Sequence, residues 1–136
     1  MISPEGRVVM ISGASRGIGL AVARNLYQAG FSLSLGVRNI EAMRKTVDDW
    51  DTSRVLISKY DAVDKETHKT WVDSTAERYG RIDGLVNNAG IMQPVSVDDG
   101  EFNEKGLDLM WSVNVKAPLS MTCLALPHLR KCGSGR

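Results

Sequence analysis

The sequence predicts an α/β fold in which a doubly wound parallel sheet carries helices on both faces. Three observations lead there. Runs rich in Val, Ile and Leu alternate with stretches of helical periodicity along the chain, and the first run leads directly into a glycine-rich turn. Each strand–helix–strand step is also short enough for a right-handed parallel crossover. The expected strand order is 3-2-1-4, and ligands of such a sheet bind at the carboxyl ends of the strands, beside strand 1 where the order reverses.

Residues 7–12 (RVVMIS) read as a buried first strand. Residues 17–29 form the first helix, with Ile18, Val22 and Leu26 at every fourth position and Gly30 as its C-terminal cap. Residues 32–37 make strand 2, 40–49 helix 2 and 54–59 strand 3. Residues 65–79 make helix 3, presenting Trp71, Thr75 and Tyr79 and ending at Gly80. Strand 4 covers 82–87, a loop with Pro94 and Gly100 follows, and helical pattern runs from 102 to about 130, where Pro118 is expected to bend or interrupt it.

The composition excludes several classes. The 136 residues are 43% hydrophobic and 24% charged with a formal charge of +1, which suits one soluble domain with a real core and neither a nucleic-acid nor a membrane partner. No apolar run approaches the ~18 residues of a spanning helix. Residues 1–6 lack the basic and apolar regions of a signal peptide, so a cytoplasmic location is expected. Cys123 and Cys132 read as reduced thiols, and no Cys or His cluster has metal-ligand spacing.

Gly13, Gly17 and Gly19 in SGASRGIG lie between strand 1 and helix 1, where unpaired N–H groups and a positive dipole end suit a pyrophosphate. Gly13 is expected to make the tight turn, Gly17 to let backbone and ligand pass closely, and Gly19 to let the helix pack against the sheet. No Gly-Lys-Ser/Thr follows, so this is not a Walker A loop. The spacing G-x-x-x-G-x-G resembles that of the short-chain dehydrogenases/reductases. Asp61-Ala62 after strand 3, Asn87-Asn88-Ala89-Gly90 after strand 4, and Asn114 within WSVNVKAP extend the resemblance over the whole chain.

The resemblance implies a Rossmann-type domain over residues 1–136, incomplete at its C-terminal end and truncated before strand 5, and a parent enzyme that transfers hydride between a nicotinamide cofactor and a small-molecule carbonyl or alcohol. It implies that Ser15, Arg16, Gly17 and Ile18 line the pyrophosphate and ribose, and that Asp61 accepts from the adenine amino group with Ala62 beside it. It also implies that Asn87, Asn88, Ala89 and Gly90 border the nicotinamide-side ribose, with Asn87 tying neighbouring strands together as well. Without the resemblance, Asp61 reads as a helix cap or a solvated turn.

Dinucleotide folds that take NAD place an acid about 20 residues beyond the glycines to hold the ribose 2′-hydroxyl. Strand 2 ends Leu35-Gly36-Val37-Arg38-Asn39, with Val37 where NAD-type members of the family carry that acid. Arg16 and Arg38 are candidates to converge on a 2′-phosphate, and Gly36 is expected to leave room for the adenosine half; the alternative is two surface arginines. The expected cofactor is NADP(H).

The family's chemistry uses a Tyr and a Lys four residues later, a Ser, and an Asn that helps hold a water relay. Asn114 matches the Asn, although an Asn within a helix also fits a local backbone kink. Tyr27, Tyr60 and Tyr79 all lack a Lys four residues on. This chain alone is therefore expected to be inactive, with strand 4 left unpaired along one side. The intact enzyme is expected to be a homo-oligomer. The other reading is a non-catalytic nucleotide-binding or interaction half-domain.

Overall fold

The structure is a computed structural model that describes residues 3–96 and 102–136. Strands β1 (Val8–Ser12), β2 (Ser32–Val37), β3 (Val55–Lys59) and β4 (Gly84–Val86) form one sheet in the order β3-β2-β1-β4. All three pairings are parallel. The helices are α1 (Gly17–Gln28), α2 (Ile40–Thr46), α3 (Lys65–Tyr79), α4 (Glu104–Trp111) and α5 (Ala117–Lys131), with a π-helical turn, Ser112–Lys116, joining the last two. The loop glycine Gly100 lies outside the described residues.

Alternation along the strands divides the core in two. Val9, Ile11, Leu33, Leu35 and Val37 turn to one face and pack with Ala23 of α1 and Met43 of α2. Met10 turns to the other face and packs with Trp71 and Val72 of α3 and Met121 of α5. On that second face β2 presents Ser34, whose hydroxyl accepts from Trp71 Nε1 at 2.8 Å and lies 2.7 Å from Thr75 Oγ1. Thr75 Oγ1 donates to the Trp71 carbonyl, so Ser34 is the donor between the two hydroxyls. These buried polar atoms are mutually satisfied, as burial requires.

Four expectations need correction. Ile18 does not belong to the apolar stripe of α1: it is 77% exposed, while Val22 and Leu26 pack against the core. Helix α2 stops at Thr46 because Val47 leaves helical backbone at φ −125°, which lets Trp50 stack on Tyr27 with centroids 4.3 Å apart. Pro118 does not break the last helix, whose backbone stays helical from Ser112 through Lys116 and Ala117 into α5. The disturbance precedes it, in the π turn, where Ala117 N reaches back five residues to the Ser112 carbonyl. Strand β4 is shorter than expected, and its outer side is partly paired: Arg136 N donates to the Asp83 carbonyl at 3.0 Å and Leu85 N to the Arg136 carbonyl at 2.9 Å.

The amino ends of the strands are tied by charge. Asp83, with a side chain 3% exposed, accepts from Val8 N at 2.9 Å and from Arg81 Nε and Nη2 at 2.8 and 2.6 Å, with Arg7 3.9 Å away. Burial alone raises this carboxyl's pKa, but the hydrogen bonds from Arg81 and Val8 and the two guanidinium charges outweigh it and hold the pKa below its usual value. Among the described residues no helix is long and apolar enough to cross a membrane.

Candidate functional site

A cleft of about 550 Å³ opens at the carboxyl ends of the four strands, where the doubly wound topology places a ligand site. Its floor is the turn after β1. Gly13 has φ +67°, a conformation glycine adopts freely, and a Cβ on Gly19 would collide with the Gly13 carbonyl oxygen. Helix α1 can therefore start flush against the turn. Ser12 and Asn88 lock this floor to the end of β4. Ser12 Oγ accepts from Asn88 N and Ala89 N, each at 3.0 Å, and Asn88 Nδ2 donates to the carbonyls of Ser12 at 3.0 Å and Gly13 at 3.2 Å.

The N-terminus of α1 differs from those of α2, α3 and α4, while α5, also without a side-chain cap, continues directly from the π turn. Asn39, Asp64 and Asn103 cap α2, α3 and α4 through side-chain oxygens, whereas Arg16 at the start of α1 supplies no cap, and its first turn holds no acid. Free N–H groups at a helix N-terminus are anion donors. Arg16 and Arg38 line the same cleft, are exposed, and pair with no carboxylate among the described residues. Lys59 Nζ donates to the Arg38 carbonyl at 2.6 Å and fixes that backbone while leaving the guanidinium free. Val37 is 2% exposed, so this position offers no carboxylate to a ribose. Backbone N–H groups beside two unpaired guanidinium groups form a donor set that fits a phosphorylated dinucleotide.

Of the remaining candidates, Gly13, Ser15, Gly17, Ile18, Asp61, Ala62, Asn88, Ala89 and Gly90 line the cleft, while Gly19 and Asn87 do not. Gly19 acts through packing. Asn87 is exposed and reaches helix α5, donating to Thr122 Oγ1 at 3.2 Å; the tie between strand ends expected of it is made by Asn88. Gly36 also departs from expectation. A Cβ there would lie 2.5 Å from the Trp71 ring, so the space is filled by indole rather than left for an adenosine, and only the backbone of Gly36 borders the cleft.

Asp61 Oδ1 accepts from Val63 N at 3.1 Å, closing a turn at the rim, while Asp64 is the residue that caps α3. Tyr60, beneath it, is 4% exposed, and burial together with the Asp61 charge pushes its phenol up to about 12. Asn114 lies in the π turn. Its Oδ1 accepts from Ile91 N at 2.9 Å and its Nδ2 donates to Ile91 O at 2.8 Å, so the side chain pins the segment after β4. Both readings of Asn114 thus have a structural counterpart: it stands in irregular helix, and it holds the cleft wall at Gly90 and Ile91. Sequence reasoning missed Asn39, Ala42, Tyr60, Ile91 and Val113 as lining residues. Only Asn39 carried a signal, as a capping residue three positions before Ala42.

Residues 7–136 match the family described as short chain dehydrogenase. The chain is 42% identical over 135 residues to an agropine synthesis reductase of Rhizobium rhizogenes, covering 97% of this chain and 30% of that protein. It is 34% identical to a dehydrogenase/reductase SDR family member 4 of Caenorhabditis elegans, covering 96% of this chain and 51% of the other. The crystal structure of a short-chain dehydrogenase from Streptomyces avermitilis aligns with a TM-score of 0.87 at 33% identity, over 98% of this chain and 48% of that one. The chain spans about half or less of the length of these relatives.

Proposed function

The chain belongs to the short-chain dehydrogenase family, and we propose on that footing that it is the cofactor-binding part of an NADP(H)-dependent oxidoreductase acting on a small-molecule carbonyl or alcohol. The observation that carries this reading is the pairing of an uncapped α1 N-terminus with two free guanidinium groups, Arg16 and Arg38, in a cleft whose strand-2 end carries Val37 in place of an acid. Residues 15–18 would hold the pyrophosphate through their N–H groups, and Arg16 and Arg38 would pair with the 2′-phosphate. The free edge of the Asp61 carboxylate accepts from the adenine amino group. Ala89 and Gly90 border the nicotinamide-side ribose.

When bound, the cofactor supplies or accepts the hydride. Asn114 holds Ile91 and Gly90 where the nicotinamide end and a substrate meet, and is the one catalytic candidate in these residues. The activity belongs to the whole protein, and we expect these 136 residues alone to be inactive. Relatives named as a reductase and as a dehydrogenase/reductase support an oxidoreductase as the parent. We place the whole protein in the cytoplasm and expect it to be a homo-oligomer; the apolar side chains exposed on α4 and α5, Leu107, Trp111 and Leu119 among them, are surface that the rest of the protein or a second copy would cover.

Isothermal titration of the chain with NADPH and with NADH tests the cofactor assignment. NADPH binds more tightly by at least about tenfold, the equivalent of one charge-assisted contact. Equal affinities refute the NADP(H) assignment, and binding of neither cofactor refutes the nucleotide reading itself.

A further inference from the structure

Helix α3 carries a histidine that nothing above accounts for. His68 is 1% exposed, and its ring lies 5.2 Å from that of Tyr60. Its Nε2 is 3.1 Å from the Asp61 carbonyl oxygen and its Nδ1 is 3.0 Å from Ser120 Oγ on α5. A carbonyl only accepts, so Nε2 carries the proton. The Asp61 carbonyl also accepts from Asp64 N at 3.1 Å. Thr67 Oγ1 is 3.1 Å from the same oxygen, but its single hydrogen has the nearer Asp64 carbonyl at 2.6 Å. The second lone pair of Asp61 O thus belongs to His68.

From this geometry we infer that His68 is a positioning residue for adenine recognition: it holds the Asp61 turn from beneath and braces it against α5 through Ser120. The inference rests on the nucleotide reading above. Asp61 is fixed at three other points, its N to Thr67 Oγ1 at 3.0 Å, its O from Asp64 N and its Oδ1 from Val63 N. Val63 and Asp64 lie in the turn itself, and Thr67 ties the Asp61 N–H to the first turn of α3. His68 adds a second tie to α3, on the Asp61 carbonyl, and carries it on to α5 through Ser120. Without it the turn keeps its shape and loses its height at the cleft rim, and the carboxylate loses its aim.

Two substitutions separate positioning from packing. Gln places an N–H donor at the same number of bonds from Cα as the imidazole Nε2, whereas Asn matches Nδ1 and cannot reach Asp61. The complete 136-residue chain and its His68→Gln and His68→Asn variants are titrated with NADPH and with the hypoxanthine form of that dinucleotide. In the latter a carbonyl oxygen replaces the adenine amino group, so the exocyclic donor facing the carboxylate is lost and the one new donor, N1–H, sits at the neighbouring ring position. Thermal unfolding is followed in parallel.

The parent prefers the adenine form by roughly tenfold, the worth of a hydrogen bond to a charged group, and His68→Gln keeps most of that ratio. His68→Asn reduces it to about twofold or less while unfolding at a midpoint close to that of His68→Gln. Should His68→Asn fail to fold, His68→Leu replaces it, removing the donor while filling the buried space, and a ratio reduced to about twofold or less supports the inference. A ratio unchanged in His68→Asn or, in its place, His68→Leu overturns the inference, as does an equal loss in the Gln and Asn variants. A parent that binds both forms equally overturns it while nucleotide binding stands. A parent that binds neither removes the nucleotide reading and this inference together.

Discussion

The two ends of the parallel sheet handle charge in opposite ways. At the amino ends, donors and acceptors are consumed within the protein. Asp83 takes Arg81, Arg7 and Val8 N. Arg54 donates to the carbonyls of Tyr27 and Phe31, each at 2.7 Å, and lies 4.2 Å over the Tyr27 ring. At the carboxyl ends, Arg16 and Arg38 have no ion-pair partner among the described residues and α1 has no side-chain cap. The first end is finished as a structure. The second keeps exposed donors with no carboxylate partner among the described residues, available to an anion, as expected of a site that puts binding ahead of local stability.

Breaking the finished end has the largest effect. Asp83→Ala strands Val8 N and two guanidinium groups, and is expected to cost about 2–4 kcal/mol of stability, discounted because both arginines reach solvent. In a domain of this size that lowers the unfolding midpoint by roughly 3–5 °C per kcal/mol. The pH dependence has a fixed sign. The folded pKa of Asp83 is depressed, so its stabilisation is present above the unfolded value of about 3.9 and disappears as pH falls through the lower folded value. Asp83→Asn should therefore lose less stability than the parent below about pH 4, measured by circular dichroism along an acid titration. Parallel acid profiles would show that the cluster contributes nothing through ionisation.

At the open end the same kind of residue behaves differently. Arg38→Ala is expected to narrow the gap between NADPH and NADH by about 1.5–3 kcal/mol while leaving the unfolding midpoint unchanged, because the guanidinium has no protein partner to lose. Titration with both cofactors reads the first effect and thermal unfolding the second. A fall in midpoint as large as that of Asp83→Ala would erase the distinction between the two ends.

Much of the fold and the open end of this contrast were legible before any coordinates, whereas the Asp83 cluster at the finished end was not. Helix α3 spans Lys65–Tyr79 and β2 spans Ser32–Val37 as the pattern implied, because local periodicity and punctuation such as Gly80, whose φ is +71°, specify both. The strand order is the one expected of a doubly wound sheet whose glycine turn follows strand 1, and the cleft lies at the carboxyl ends where that topology puts a ligand. What was not legible depends on contacts between distant segments. Gly36 looked like space for a ligand, but that space belongs to Trp71, 35 residues further on. His68 gave no signal, since its two partners are a carbonyl seven residues before it and a hydroxyl 52 residues after it. Asn87 and Asn88 share one motif, and only the chain path decides which faces Ser12 and which faces Thr122.

The smallest expected effect has the most telling sign. Arg16 has extended backbone, φ −160° and ψ 171°, which is ordinary geometry for a helix-capping residue, so Arg16→Asp can cap α1 as Asn39 caps α2. A side-chain cap plus a negative charge at a helix N-terminus contributes about 0.5–1 kcal/mol, and the variant should unfold at a higher temperature than the parent. The same carboxylate occupies the N–H groups proposed for the pyrophosphate and places a negative charge beside it, so NADPH affinity should fall by well over tenfold. One substitution thereby converts the open end into a finished one, moving stability and binding in opposite directions. Thermal unfolding and titration on the same preparation decide it. A variant that gains stability and keeps its affinity would mean that the phosphates do not sit on α1, and a variant that loses both would mean that Arg16 already has a structural task.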